Sequence, residues 1–316
     1  MPWYARPAAG LAWLGRQGTR AVALSLFAGL ALPWLAAAMK PLFTPSVFVL
    51  LCLAFLRVDP AALRRRFARP GLVLAATAWM MVATPLCCGP LLAAFGLERG
   101  LQIALTFQVA APPVIATSAL AALMGLDAAL ALAVLAACVV ATPMTAAGFA
   151  ALFLGASDIS ALGLGLRLFA MLAGAAAVAA GVRYATGQPW VERQSERIDG
   201  LSVIALFVFA VAVMDGVIAQ TIARPMLMLG LIALACATAL VLGATTALVF
   251  WRAGRTVALT LALTAGLRNL GVMIAATGGA VPALTWLYIA MAQFPVYLLP
   301  HALKAAVKHY DSGREL

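Results

Sequence analysis

Apolar residues fall along this chain in ten long blocks, at approximately 21–39, 42–57, 71–95, 101–124, 128–154, 160–182, 200–219, 225–250, 256–278 and 283–304. An α-helix needs roughly 20 apolar residues to cross a hydrocarbon core of about 30 Å. The blocks meet that length, the second being the shortest, and the polar connections between them are brief. The pattern predicts an all-α polytopic membrane protein with ten transmembrane helices. Two blocks are interrupted inside. The fourth contains Pro112-Pro113, and the ninth contains Gly266-Leu267-Arg268-Asn269-Leu270-Gly271. Proline in a helix interior removes a donor and clashes with the preceding turn. Two glycines around a polar pair also favour a break. Broken backbone at membrane depth is tolerated only where protein buries it or it lines a cavity.

The polar connections carry a strong charge asymmetry. Arg6, Arg16, Arg20, Arg57, Arg64, Arg65, Arg66, Arg69, Arg183, Arg193, Arg197, Arg252, Arg255, Lys304 and Lys308 fall on one side of a ten-span layout, and Lys40, Arg99 and Arg224 on the other. The positive-inside rule then places both termini in the cytoplasm, in the inner membrane of the cell. The most polar connection, Gln188 to Asp199, divides the spans five and five, giving a first repeat over residues 1–190 and a second over 191–316. Odd-numbered halves insert with opposite orientation, the layout of an inverted-repeat transporter. At an offset of 156 residues, Arg99 falls on Arg255, Gln108 on Thr264 and Pro112-Pro113 on Arg268-Asn269, so the two interruptions correspond. Matching interruptions in two halves point to a midplane binding site.

Composition agrees. The chain has 316 residues, 65% of them hydrophobic and 10% charged, with a mean hydropathy of +1.06. The net charge of +11 sits between spans, which argues against nucleic acid as a partner. Cys52, Cys87, Cys88, Cys138 and Cys236 all lie in apolar blocks and match no zinc spacing, and His301 and His309 alone make no metal site. Arg6, Arg16 and Arg20 before an apolar run imitate a signal peptide, but the run is long for one and reads as the first span. The lipid bilayer and a small solute are the expected partners.

Candidate chemistry sits at the interruptions. A charge at the bilayer centre costs roughly 2.5–3.5 kcal/mol on insertion scales, so Arg268 is a site candidate by default. It could bind a carboxylate or sulfonate with Asn269 assisting, or pair internally with an acid. Asp215 is the acid within a span and a candidate for ion coupling; Asp127 reads as a helix N-cap. The second half of the fourth span is expected to start near Pro113, with Thr117 and Ser118 in its first turns and freed amides suited to an anion. Gln108, Thr264 and Gln293 are further substrate-site candidates that could equally join helices. Trp79, Met80 and Met81 read as ordinary packing.

With these residues in view, the chain resembles the bile acid/sodium symporter family over nearly its whole length. The resemblance implies two inverted five-helix repeats, with broken helices four and nine crossing in a core domain beside a smaller panel domain, the two interleaved along the chain. It implies carriage of organic anions through a cleft between them. The family's fourth-helix motif, Pro-Gly-Gly followed by Ser-Asn, reads here as Pro112-Pro113-Val114-Ile115-Ala116-Thr117-Ser118, and Thr117 and Ser118 fall on the sodium-binding pair. The ninth-helix motif, Glu before Gly-x-Gln-Asn-x-Gly, reads as Thr264 before Gly266 to Gly271, so Thr264 replaces the sodium-binding carboxylate and Arg268 the sodium-binding glutamine. Ala131 and Leu135 occupy hydroxyl positions on the fifth helix. A fixed cation about 4 Å from a sodium ion would oppose it by roughly 4 kcal/mol at an effective dielectric near 20. The usual sodium sites are therefore expected to be lost, with Arg268 as a tethered substitute. No cofactor is expected, and sodium is the one ion the resemblance raises.

The expected function is secondary active transport of a small organic anion by alternating access. Sodium-coupled symport and efflux of another solute are the transport alternatives. Metalloid efflux fits less well, because no cysteine lies between Gly100 and Ala137. A membrane sensor or enzyme is the non-transport alternative, and enzymatic activity is not expected, since no nucleophile–base pair or metal motif is visible at depth.

Overall fold

The computed structural model describes residues 18–58, 63, 70–154 and 160–296. Arg6, Arg16, Arg64, Arg65, Arg66, Arg69, His301, Lys304, Lys308 and His309 lie outside them. In chain order the helices are α1 (Gly18–Ala31), α2 (Pro33–Met39), α3 (Phe43–Arg57), α4 (Gly71–Ala78), α5 (Thr84–Ala94), α6 (Arg99–Ala110), α7 (Thr117–Leu123) and α8 (Ala128–Leu154). They continue as α9 (Ala161–Thr186), α10 (Gln188–Arg193), α11 (Ser195–Val213), α12 (Val217–Ala223), α13 (Pro225–Val249), α14 (Arg255–Gly266) and α15 (Leu270–Thr277), with α16 over Ala283–Val296. A 3-10 turn, Lys40–Leu42, joins α2 to α3, and a π-helical stretch, Trp79–Ala83, joins α4 to α5. Among the described residues there is no strand. The protein is an all-α, multi-pass membrane protein.

Among the described residues, six helical stretches are long and apolar enough to cross a bilayer: Pro33–Arg57, Gly71–Leu92, Ala128–Leu154, Ala161–Thr186, Ser195–Ala223 and Pro225–Val249. The fourth and ninth apolar blocks do not appear among them because each is split into two short helices, α6 with α7 and α14 with α15. The first block is also split, at Leu32. The ring of Pro33 disfavours helical backbone in the residue before it, and Leu32 accordingly leaves the helix at φ −122°, ψ 74°. The boundary between the first two blocks falls on the 3-10 turn.

The chain forms two compact units. One comprises the described parts of Met1–Asp59, Leu166–Pro225 and Gly271–Ala280, and the other those of Pro60–Gly165, Met226–Leu270 and Val281–Leu316. In the first unit α11 packs along α1, α2 and α3. A Cβ on Gly29 would come within 2.9 Å of the Met214 side chain, so only glycine lets α1 approach that closely. Phe43 and Phe209 meet with ring centroids 5.3 Å apart. At one end of α3, Arg183 donates from Nη2 to the carbonyls of Phe55, Leu56 and Val58 at 3.1, 2.8 and 3.0 Å, a cation on the negative end of the helix. Arg57 pairs with Asp199 at the same end.

In the second unit α8 packs against α4, α6, α7 and α14. Their shared core contains Met80, Met81, Leu130, Val134 and Leu261, none of them measurably exposed. Asp127 accepts the Leu130 amide at 2.8 Å and so N-caps α8, as its sequence position suggests. Close backbone approach sets α13 against α14: a Cβ on Gly243 would lie 3.2 Å from the Ala262 carbonyl oxygen, and one on Gly266 2.9 Å from that of Ala239.

Candidate functional site

The two interruptions meet in the second unit. Helix α6 ends at Ala110 because Pro112 and Pro113 supply no amide hydrogens to continue it. Helix α14 runs through Gly266 and stops at Leu267, which turns extended at φ −99°, ψ 98°. The freed segments form an isolated antiparallel bridge between Pro113 and Arg268. The Val114 amide donates to the Leu267 carbonyl at 2.8 Å, and the Asn269 amide donates to the Pro112 carbonyl at 2.8 Å. The second half of the fourth span therefore starts later than the sequence suggests. Pro113 belongs to the bridge, and α7 begins at Thr117. The Val114 amide, one of those expected to face an anion, is consumed by the bridge.

Each break leaves carbonyls without a helical partner, and Arg268 collects them. Its Nε donates to Ala265 at 2.8 Å, whose usual acceptor role fails because the Asn269 amide has gone to Pro112. Its Nη1 donates to Ala111 at 2.9 Å, at the proline break. Its Nη2 donates to Met80 at 3.3 Å. This third carbonyl is free for a reason written in the third span. The Thr84 amide bonds Trp79 five residues back, the π-helical register. Pro85 has no amide hydrogen, so neither Met80 nor Met81 finds a donor there. Arg268 as a whole is 2% exposed, and among the described residues no acid pairs with it. Asp215, weighed as its internal partner, is instead ion-paired with Lys40 at 2.8 Å in the first unit, at the turn between α11 and α12. Arg268 thus joins helices, through backbone carbonyls rather than through a carboxylate.

The remaining candidates have distinct surroundings. Thr117 is buried and donates to the Val114 carbonyl at 2.8 Å, while Ser118 beside it is half-buried. Asn269 is half-buried at the bridge. Thr264 is buried and turns back onto the Thr260 carbonyl at 2.8 Å. Thr260 in turn accepts the Asp127 amide at 3.1 Å, tying α14 to the start of α8. Gln108 is buried and accepts a hydrogen bond from Tyr288 on α16. Gln293 is buried with its amide on the Ile289 carbonyl of its own helix at 3.0 Å.

Sequence reasoning missed two participants. The Met80 carbonyl was hidden in an apolar run, and Pro85 five residues on was the signal for it. Tyr288 carried no polar neighbour in sequence to mark it. Against known proteins, no family model matches the chain, and no curated protein matches it.

Proposed function

We propose that this protein is a secondary transporter of the bile acid/sodium symporter type, carrying a small organic anion by alternating access without the family's usual sodium sites. The observation that carries this reading is the bridge between two interrupted spans, clamped by Arg268. Backbone broken at membrane depth must be buried or line a polar path. A buried cation that gathers three backbone carbonyls does what a bound sodium ion would do there: it satisfies oxygen dipoles stranded by the breaks. Among the described residues no acid cancels the charge on Arg268, so its field favours an anion nearby. At 8 Å and an effective dielectric near 20 that attraction is about 2 kcal/mol. Thr117, Ser118 and Asn269 supply polar contacts beside the crossing, Gln108 ties α6 to α16 through Tyr288, and Thr264 and Gln293 stand on the framing helices with their bonds turned to their own backbones.

In this reading the activity is transport rather than catalysis. The layout has ten spans in two inverted repeats, and the unit bearing the bridge corresponds to the family's core domain. Both termini face the cytoplasm of the inner membrane. The gathering of Arg57 and Arg183 at one end of α3, with Lys40 and Asp215 beyond the other, supports that orientation. Asp215 is the candidate for proton coupling, because protonation would dissolve its pair with Lys40.

The test is uptake of radiolabelled organic anions into liposomes holding the full chain, in sodium and in choline. Equal uptake in both salts supports the reading. Sodium-stimulated uptake that survives collapse of the proton gradient removes the claim of lost sodium sites, and absence of uptake across a broad panel removes the claim of anion transport.

A further inference from the structure

Arg268 donates to three carbonyls, whereas a second cation within a span donates to one. Arg167 lies six residues into α9, a 26-residue helix apolar enough to cross a bilayer. It is exposed, and its one hydrogen bond among the described residues is long, from Nη1 to the Thr277 carbonyl at 3.4 Å. Among the described residues no acid pairs with it. A guanidinium carries five donors in a planar fork, so most of this fork is open.

The direction of the side chain matters. Along α9, Leu164, Leu168, Leu172 and Ala175 are buried, while Leu162, Leu166 and Phe169 are 72%, 59% and 62% exposed and form the face suited to lipid tails. At about 100° per residue, Arg167 sits about 100–160° around the helix from those three. It leaves α9 on a flank with Gly163, Ala170 and Gly174, residues too small to cover it. On that flank it reaches the end of α15, where Gly278 and Gly279 turn the chain at φ +68° and +79°. A charged side chain within a span faces protein or a water-filled cavity rather than hydrocarbon.

We infer that Arg167 is an oxyanion-binding residue, its open guanidinium fork taking a carboxylate, sulfonate or phosphate group. Such a group satisfies two of its donors side by side, the arrangement for which arginine is suited and lysine is not. This deepens the proposed function, resting on it for the identity of the ligand as the acid group of the carried solute. A lipid headgroup has the same chemistry and is separable by experiment.

The measurement is the melting temperature of the purified full chain titrated with benzoate and, separately, inorganic phosphate. It is made in detergent, and again in nanodiscs of phosphatidylcholine with and without phosphatidylglycerol. The native chain is compared with Arg167→Gln and Arg167→Lys. The expected result is stabilisation of the native chain by at least one probe, with the apparent Kd weakened about tenfold or more in Arg167→Gln and partly restored in Arg167→Lys. Stabilisation by phosphatidylglycerol alone, lost in Arg167→Gln, also supports the inference and assigns the oxyanion to lipid. Native-like affinity in Arg167→Gln overturns the inference while leaving anion transport standing. So does a lowered melting temperature with unchanged affinity, which would make Arg167 only a cap on α15. A native chain stabilised by none of these probes overturns the inference and counts against the transport reading as well.

Discussion

Removing the Arg268 side chain would strand three buried carbonyls at once. Each unsatisfied buried acceptor costs about 1–3 kcal/mol, so Arg268→Ala should destabilise the protein by several kcal/mol, read as a marked fall in melting temperature. Arg268→Lys should recover only part of this, because an ammonium cannot span carbonyls set around a planar fork. If the cage is complementary to a guanidinium, millimolar guanidinium added to Arg268→Gly should raise its melting temperature and leave the native chain unaffected. No rescue would mean that the crossing collapses when the side chain is lost. At Gly266 the constraint is steric. Gly266→Ala would force a Cβ to 2.9 Å from the Ala239 oxygen, and such overpacking typically costs about 1–3 kcal/mol. A chemical denaturation curve would measure it, and an unchanged midpoint would show that α13 and α14 can part freely.

Among the elements, the third span bends its hydrogen-bond register to serve the crossing. In Pro85→Ala a new amide would recapture the Met81 carbonyl and draw Trp79–Ala83 back into α-helical register. The Met80 carbonyl would then leave Arg268. The expected loss is about 1–3 kcal/mol, and it should be smaller when Arg268 is already alanine. That non-additivity, measured by a double-mutant cycle, identifies action through Arg268, whereas simple addition would make Pro85 an independent kink. The interruptions themselves were legible from Pro112-Pro113 and from the Gly266–Gly271 string, because proline and glycine act locally. The start of α7 was misplaced by four residues because the Val114 amide answers to Leu267, a partner more than 150 positions away. The split at Leu32 could have been read from Pro33.

For the whole molecule, the turn at Asp215 offers a test of coupling. If proton binding there drives transport, Asp215→Asn should flatten the pH dependence of uptake while leaving exchange of internal for external anion intact. A pH profile identical to the native one would exclude Asp215 from coupling. Composition and hydropathy alone determined that this chain is helical, membrane-embedded and broken in two spans, since a bilayer dictates span length and satisfied backbone from within the sequence itself. They also marked Arg268 as unusual, because a charge among apolar residues is costly wherever it points. What it points at was settled only by tertiary structure. The carbonyls of Ala265, Ala111 and Met80 come from three separate stretches, and every residue carries the same carbonyl, so no side chain announces which ones a fold will leave unpaired.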